Sequence, residues 1–303
     1  MPVPRFIQAI MSEDQAALAA ALGLEPGSAR IEVQCLLQEV LGVTRAYFFA
    51  HPERVLSETE EASYQALLRR RLGGEPIAYI LGTREFFGLN LNVTPATLIP
   101  RPDTELLVEL ALQRIPSPSA TLLPLPLAGE GQGRGRVVRI LDMGTGSGAI
   151  ALAIAHQRPD AEVWACDASA AALAVARDNA QRLGIANVHF VASDWFSALS
   201  GQRFDLIVSN PPYIAADDRH LSQGDVRFEP LAALASGADG LDDIRDIVGQ
   251  APAHLEKQGW LLLEHGYDQA GRVRELLQAC GFAAVFSAQD LSGIERCSGG
   301  QIQ

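Results

Sequence analysis

Val137-Val138-Arg139-Ile140-Leu141 runs directly into Asp142-Met143-Gly144-Thr145-Gly146-Ser147-Gly148, and an Ala/Ile/Leu stretch from Ala149 to His156 follows. The apolar run reads as a buried strand, the alternating glycines as a tight turn, and the Ala-rich stretch as a helix. That order is the opening unit of a parallel sheet. The alternation continues downstream. Further strands are expected at Glu162 to Cys166, Val188 to Ala192, Phe204 to Ser209 and Trp260 to Glu264. Helices are expected at Ser169 to Leu183, Leu241 to Leu255 and Gln269 to Cys280. Phe282 to Ser287 and Ile294 to Cys297 read as a closing antiparallel hairpin. The expectation is an α/β domain with a doubly wound, mostly parallel, seven-stranded sheet.

Upstream the periodicity changes. Residues 1–75 show apolar spacings of three and four, with helices expected at Ser12 to Leu22, at Ile31 to Leu41 before Gly42, and at Glu58 to Leu72 before Gly73-Gly74. Residues 76–102 alternate apolar and polar with glycine punctuation, from Tyr79-Ile80-Leu81-Gly82 to Val93, and read as a hairpin linker. Asp103 or Thr104 is positioned to cap a helix running to about Arg114. The expected organisation is therefore a helical docking domain (1–75), a hairpin linker (76–102) and a catalytic domain (103–303). Within the last, residues 115–136 are rich in Pro and Gly and read as a disordered surface insertion.

Composition narrows the function classes. The chain has 303 residues, 48% of them hydrophobic, which suffices for two cores. A net charge of −12 argues against direct nucleic-acid binding, which rests on Lys and Arg facing phosphates. Cys35, Cys166, Cys280 and Cys297 form no Cys-x-x-Cys pair, so no metal is expected and the thiols fit a reducing compartment. No apolar run is long enough for a bilayer, and the N-terminus lacks the apolar core of a signal peptide; a cytoplasmic protein without membrane contact is expected.

The chemistry gathers at the expected strand ends. Gly144, Gly146 and Gly148 let the backbone approach a ligand closely, as in NAD, FAD or S-adenosylmethionine sites. Asp167 ends the next strand, where an acidic residue takes ribose hydroxyls in doubly wound folds. Asp142 would repel a pyrophosphate but can pair with the cationic end of an amino-acid ligand, which favours S-adenosylmethionine. Asp194-Trp195 fits an adenine pocket, a carboxylate for the exocyclic amine and a ring for stacking. Asn210-Pro211-Pro212-Tyr213 then leaves the strand Phe204 to Ser209 as a stiff segment with acceptors and few donors. A rigid acceptor pair beside an aromatic plate suits a planar NH2 group. Arg101, between Pro100 and Pro102, is a candidate for a carboxylate, the active site or an ordinary ion pair. His265 reads as a core residue. Ser298-Gly299-Gly300-Gln301 reads as a flexible tail.

With these stretches the chain resembles the release-factor glutamine methyltransferase family. The resemblance is carried by Tyr79 to Gly82, Ile99-Pro100-Arg101-Pro102-Asp103-Thr104-Glu105, Leu141 to Gly148, Ser193-Asp194-Trp195 and Asn210-Pro211-Pro212-Tyr213-Ile214. Phe228 to Leu231, Gly237 to Leu241, Glu264-His265-Gly266 and Asp290 to Gly293 extend it. It implies a Rossmann-like methyltransferase sheet and methyl transfer from S-adenosylmethionine to the glutamine amide of the Gly-Gly-Gln motif of peptide-chain release factors. It also implies cofactor contacts at Gly144, Thr145, Gly146, Ser147, Gly148, Asp167, Trp195 and Asn210. Substrate contacts fall at Asn210, Pro211, Pro212 and Tyr213. A ribosomal-protein glutamine, an adenine amine, or cofactor binding without catalysis are the competing expectations. The 115–136 insertion is foreign to the family pattern, and Trp260 is bulkier than the pattern leads one to expect.

Overall fold

The computed structural model describes residues 5–115 and 136–303. The expected insertion therefore lies, apart from its two end residues, outside the described residues. The chain divides into two compact units, one of residues 1–83 with 222–228, the other of residues 84–221 with 229–303.

The first unit is helical: α1 (Ile7–Leu22), α2 (Pro26–Leu41), α3 (Arg45–Ala50), α4 (Glu58–Leu72) and α5 (Ile77–Leu81). Its core gathers Leu18, Val33, Leu37, Phe48, Tyr64 and Leu68. Helix α4 opens on a capping box, in which the Glu60 N–H donates to Ser57 Oγ (3.3 Å) and the Ser57 N–H to Glu60 Oε2 (2.8 Å). Tyr79 to Leu81, expected in the hairpin, are helical instead. The Tyr79 and Ile80 N–H groups donate to the Pro76 carbonyl, and Ile77, Ile80 and Leu81 turn together onto the helical core. A five-residue apolar run does not distinguish strand from helix by period, and here the neighbouring core decides. The buried Arg71 guanidinium donates to Glu32 (2.7 and 3.1 Å), to Asp225 (2.9 Å) and to the Glu75 carbonyl (3.0 Å). Such burial is tolerable because the fork of donors is met. It also fastens Asp225, in an otherwise loop-like stretch, to this unit.

The second unit follows from Arg84, within the first strand of a short hairpin, β1 (Thr83–Phe86) and β2 (Leu89–Asn92), and continues into α6 (Glu105–Arg114). The β/α alternation follows: β3 (Arg139–Met143), α7 (Ala149–Gln157), β4 (Glu162–Asp167), α8 (Ala170–Leu183), β5 (Val188–Ala192), β6 (Phe204–Ser209), α9 (Asp242–His254), β7 (Leu255–Glu264), α10 (Ala270–Ala279), β8 (Ala283–Gln289) and β9 (Glu295–Gln301). The seven-stranded sheet has the order β5-β4-β3-β6-β7-β9-β8, parallel except where β9 runs against β7 and β8. Helices α6 and α7 cover one face over Leu107, Ile150, Ile154 and Val163, and α9 and α10 the other over Ile244, Ile247, Leu261 and Val273. The chain winds outward from β3 to β5, then returns to β6 and winds the other way. Neighbours β3 and β6 thus mark the switch point, outside whose carboxyl ends ligands bind in such sheets.

Two residues of the C-terminal half find their reasons here. Trp260 packs edge-on to Phe286 (6.1 Å between centroids), and the Arg114 guanidinium lies over both rings, at 4.8 and 4.1 Å. Gly299-Gly300-Gln301 is not a flexible tail. It is the end of β9, paired residue by residue with Leu262, Leu261 and Trp260. Gln301 Nε2 donates to the Gln258 carbonyl (2.9 Å). A Cβ at Gly299 would stand 2.5 Å from Leu262 Cδ2 and 2.7 Å from the Leu261 carbonyl, so the strand passes there only as glycine. Gly299→Ala is expected to lower stability by about 1–3 kcal/mol, the usual range for overpacking, read as a lower urea midpoint. An unchanged midpoint would show that β9 is not locked into the sheet.

Candidate active site

The carboxyl edge of the sheet opens into a cavity of about 380 Å³, within the roughly 300–1,000 Å³ of small-molecule sites. Gly144, Gly146, Asp167, Asp194, Trp195, Asn210 and Pro212 are on its walls, each expected from the sequence.

The glycine turn is held from behind. The N–H groups of Gly144 and Thr145 both donate to the Cys166 carbonyl at the end of β4 (2.9 Å each). Gly144 has φ +70°, which opens space against Trp195, whose ring carbon Cζ3 would lie 3.6 Å from a Cβ there. Gly148 has φ +85° and lies under Leu152 and Ala176; a Cβ would meet them at 3.0 and 3.2 Å. Thr145 and Ser147 are buried off the cavity wall, and the Ser147 carbonyl accepts from Asn179 Nδ2 (2.9 Å). Asp167 Oδ2 accepts from the Gly146 N–H (2.9 Å) and Oδ1 from the Ser169 N–H (2.8 Å), so this carboxylate ties turn to helix while facing the cavity.

Asp142 is fully enclosed rather than on the wall. Its Oδ2 accepts from Thr145 Oγ1 (2.6 Å) and the Ala151 N–H (3.1 Å), but Oδ1 is buried with no hydrogen-bond partner. Burial pushes this carboxyl up to about 7, partly offset by those two donors. An unpartnered carboxylate oxygen behind the glycines fits a ligand that brings an ammonium.

Trp195 sits at φ +45°, uncommon for a bulky residue. Its carbonyl accepts from Ser193 Oγ (2.7 Å) and its indole N–H donates to Asp243 Oδ1 (3.1 Å). Asp243, also on the wall, was not singled out from the sequence.

Past β6, the Asn210 Nδ2 donates to Thr104 Oγ1 (3.2 Å), which leaves Oδ1 as the end free to accept. Pro211 is buried and Tyr213 half-buried, both off the wall. Tyr213 Oη donates to Glu264 Oε1 (3.4 Å), and its carbonyl accepts from Gln269 Nε2 (2.9 Å). Glu264 is enclosed at the end of β7. Burial pushes it up to about 7, although the Thr104 and Tyr213 hydroxyls pull it down. Thr104 therefore does not cap α6, the expected role: no side-chain cap bond is made, and the hydroxyl faces Asn210 and Glu264 instead. Arg101, a candidate for substrate contact in the active site or for an ordinary ion pair, is off the cavity wall. It pairs with the enclosed Glu229 carboxylate, which also accepts from the Ile99 N–H (3.0 Å). His265 is buried, bonded to the Gly266 carbonyl (2.9 Å) and Ser298 Oγ (2.8 Å). The four cysteines are free thiols. Among the described residues no helix is long and apolar enough to cross a membrane.

Switch-point cavity, glycine turn and strand-end acid define a Rossmann-like site for a nucleoside-bearing cofactor, and the family matches make it that of a methyltransferase. The Methyltransferase small domain family matches residues 130–226, and the PrmC N-terminal domain matches residues 15–82. A methyltransferase from Pyrococcus furiosus shares the fold, with TM-score 0.50 and 19% identity over 77% of this chain and 95% of its own. So does the T. thermophilus 16S rRNA N2 G1207 methyltransferase in complex with AdoMet and guanosine, with TM-score 0.50 and 19% identity over 73% of this chain and 50% of its own. The release factor glutamine methyltransferase of Pseudomonas aeruginosa is 52% identical over 90% of this chain and 93% of its own length. That of Bordetella pertussis is 51% identical over 92% and 97%. The chain belongs to the release factor glutamine methyltransferase family.

The buried Asp142 gives a pH signature. Its ordinary value is 3.8 and its folded value about 7, so between those pH values the native state keeps a proton that the unfolded chain has lost. Stability therefore falls as pH rises through that window. Relative to Asp142→Asn, the wild type is expected to lose on the order of 1–3 kcal/mol between pH 5 and pH 7, read from urea unfolding at the two values. Parallel curves for the two proteins would mean that Asp142 is ionised throughout.

Proposed function

We propose that this chain transfers a methyl group from S-adenosylmethionine to the side-chain amide nitrogen of the glutamine in the Gly-Gly-Gln motif of peptide-chain release factors, in the cytoplasm. The observation that carries the reading is the Asn210 amide: it stands at the cavity wall with Nδ2 engaged by Thr104, so its oxygen is the end left to accept. Family membership supports the substrate, since relatives at 47–52% identity bear that name.

The cofactor supplies an electrophilic methyl on a sulfonium centre. When bound, it would lie against Gly144 and Gly146, with Asp167 at its ribose hydroxyls and Asp194 and Trp195 at its adenine, while Asp142, enclosed behind the glycines, would supply negative charge on the side of its ammonium. Gly148, Thr145 and Ser147 act from behind, by shaping the turn.

An amide nitrogen is a weak nucleophile because its lone pair is delocalised into the carbonyl. Asn210 Oδ1 and the Pro211 carbonyl accept its two N–H bonds, which fixes the nitrogen and favours a pyramidal, more nucleophilic form. Pro212 stiffens the segment and Tyr213 packs on the amide plane and excludes water. The contribution is positioning and preorganised dipoles. No strong base is required, because the proton leaves after the nitrogen has gained its methyl group. Arg101 contributes by fixing Glu229 and, through it, the Ile99 backbone.

Labelled S-adenosylmethionine is expected to mark the Gly-Gly-Gln glutamine of a purified release factor and not a Gln→Ala factor or DNA. Asn210→Ala is expected to lose at least 100-fold in rate, the order seen when a preorganised polar group is deleted, with cofactor affinity within about threefold. Asp167→Ala is expected to lose cofactor affinity by calorimetry. Label on DNA instead of the factor would overturn the substrate, and full turnover in Asn210→Ala the mechanism.

A further inference from the structure

A side-chain amide can present either of its ends, and only one end serves at Asn210. If the NH2 faced the cavity it would oppose the NH2 of a substrate amide. Whatever sets the orientation therefore sets the rate. The Asn210 Nδ2 donates to Thr104 Oγ1 (3.2 Å), and a hydroxyl carries one proton and two lone pairs. Thr104 can accept from Asn210 only with its own proton pointed elsewhere. The acceptor that faces that hydroxyl is the Glu264 carboxylate, enclosed at the end of β7 next to β6 in the sheet, whose Oε2 is buried without a hydrogen-bond partner of its own. We propose that Glu264, acting through the Thr104 hydroxyl, is a positioning residue that selects the acceptor end of the Asn210 amide for the substrate. The chain of donors runs one way: Asn210 N–H to Thr104, Thr104 O–H to Glu264. Tyr213 O–H to Glu264 Oε1 (3.4 Å) brings the aromatic plate under the same control.

The direction depends on charge. An ionised Glu264 is acceptor-only, so it must receive the Thr104 proton. A protonated Glu264 can donate to Thr104 instead. Thr104 then has its own proton to spare for Asn210 Oδ1, and the amide is free to flip. The groups facing Glu264 are Thr104 and Asp103 from the turn before α6, Tyr213 after β6, and Arg296 and Cys297 on β9. Asp103 opposes ionisation and Arg296 favours it, but burial outweighs both and holds Glu264 near neutrality, at about 7. The rate of methyl transfer is then expected to rise with pH through that region as Glu264 ionises.

This inference rests on the methyl-transfer reading, so its test has one arm that needs no turnover. In protein labelled with 15N-asparagine, the Asn210 side-chain amide is followed by NMR in the wild type and in Thr104→Val, Thr104→Ser and Glu264→Gln. Its signals are expected to shift and broaden in Thr104→Val and Glu264→Gln and to stay near the wild-type position in Thr104→Ser. In the activity arm, Thr104→Val is expected to lose about 10- to 100-fold in kcat at unchanged cofactor Kd and Tm. Thr104→Ser recovers to within about threefold. Glu264→Gln is expected to lose the acid limb of the kcat–pH profile. Unshifted Asn210 signals in Thr104→Val, or an acid limb preserved in Glu264→Gln, overturn the proposal. Shifted amide signals in a protein that methylates no factor would leave the positioning intact and sink the substrate assignment instead. If Glu264→Gln does not fold, the kcat–pH profile of Thr104→Val decides: loss of the acid limb there supports Glu264 acting through Thr104, and an acid limb preserved there overturns it.

Discussion

The site depends on β3 and β6 lying side by side and parallel, with Met143 opposite Ser209. That pairing brings two unrelated loops to one rim. The glycine turn leaves β3 immediately after Met143, and Asn210 leaves β6 immediately after Ser209. The Ser209 hydroxyl donates to the Met143 carbonyl (2.7 Å) and stitches the two ends where the ladder stops. Winding in opposite directions from these strands clears the space above them, since no crossover helix passes over the gap. A register slip of one residue would send every side chain of β6 to the other face and swap the apolar contacts of Leu206 and Ile207. Continuous apolar strands such as Leu206-Ile207-Val208 have no polar side to accept such a slip.

On either side of β6 the sheet carries a buried carboxyl, Asp142 on β3 and Glu264 on β7. Each is costly where it stands, and burial raises both toward neutrality. Neither is compensated by an arginine in direct contact; each has one oxygen met by a hydroxyl, Thr145 for Asp142 and Tyr213 for Glu264, and the other buried without a hydrogen-bond partner. A site designed for stability alone would have apolar residues at both positions. Their placement flanks the strand that delivers Asn210: one carboxyl lies behind the glycine turn, the other beside the Asn210 to Tyr213 segment.

Much of this was legible in the sequence. Buried parallel strands are largely apolar runs, so β3 to β7 were locatable, though β7 begins at Leu255; the closing antiparallel pair was read as a hairpin, but β9 continues to Gln301 through residues read as a tail. The glycine turn, Asp167, Asp194-Trp195 and Asn210-Pro211-Pro212-Tyr213 were legible because each is a local motif at a strand end. What escaped was the layer behind them. Thr104 meets Asn210 across 106 residues, Asp243 meets Trp195 across 48, and Gln269 meets Tyr213 across 56. No local pattern marks such partners. Thr104 was even misread for a good reason: a threonine before a helix is a competent cap, and only the fold shows that its hydroxyl has another acceptor. Arg101 was likewise open until Glu229, 128 residues away, was found beside it. The short α5 and the Gly-Gly-Gln at the end of β9 were lost to context, one captured by the helical core, the other by an antiparallel neighbour.

The clamp therefore has two kinds of order with different origins. Its stiffness is local. Pro211 and Pro212 remove conformational freedom from the chain before any tertiary contact forms, so little entropy is left to lose when a substrate amide arrives. Its orientation is not local. A stiff backbone places Asn210 but cannot say which way its amide turns, because the two ends differ only in hydrogen bonding. That choice is made by groups brought from the turn before α6 and the end of β7, just as the Tyr213 ring and carbonyl are held by Glu264 and Gln269. Transferring the tetrapeptide alone to another strand end would carry the stiffness and not the polarity. The polar layer behind the clamp is what turns a Pro-rich strand exit into an acceptor of defined direction.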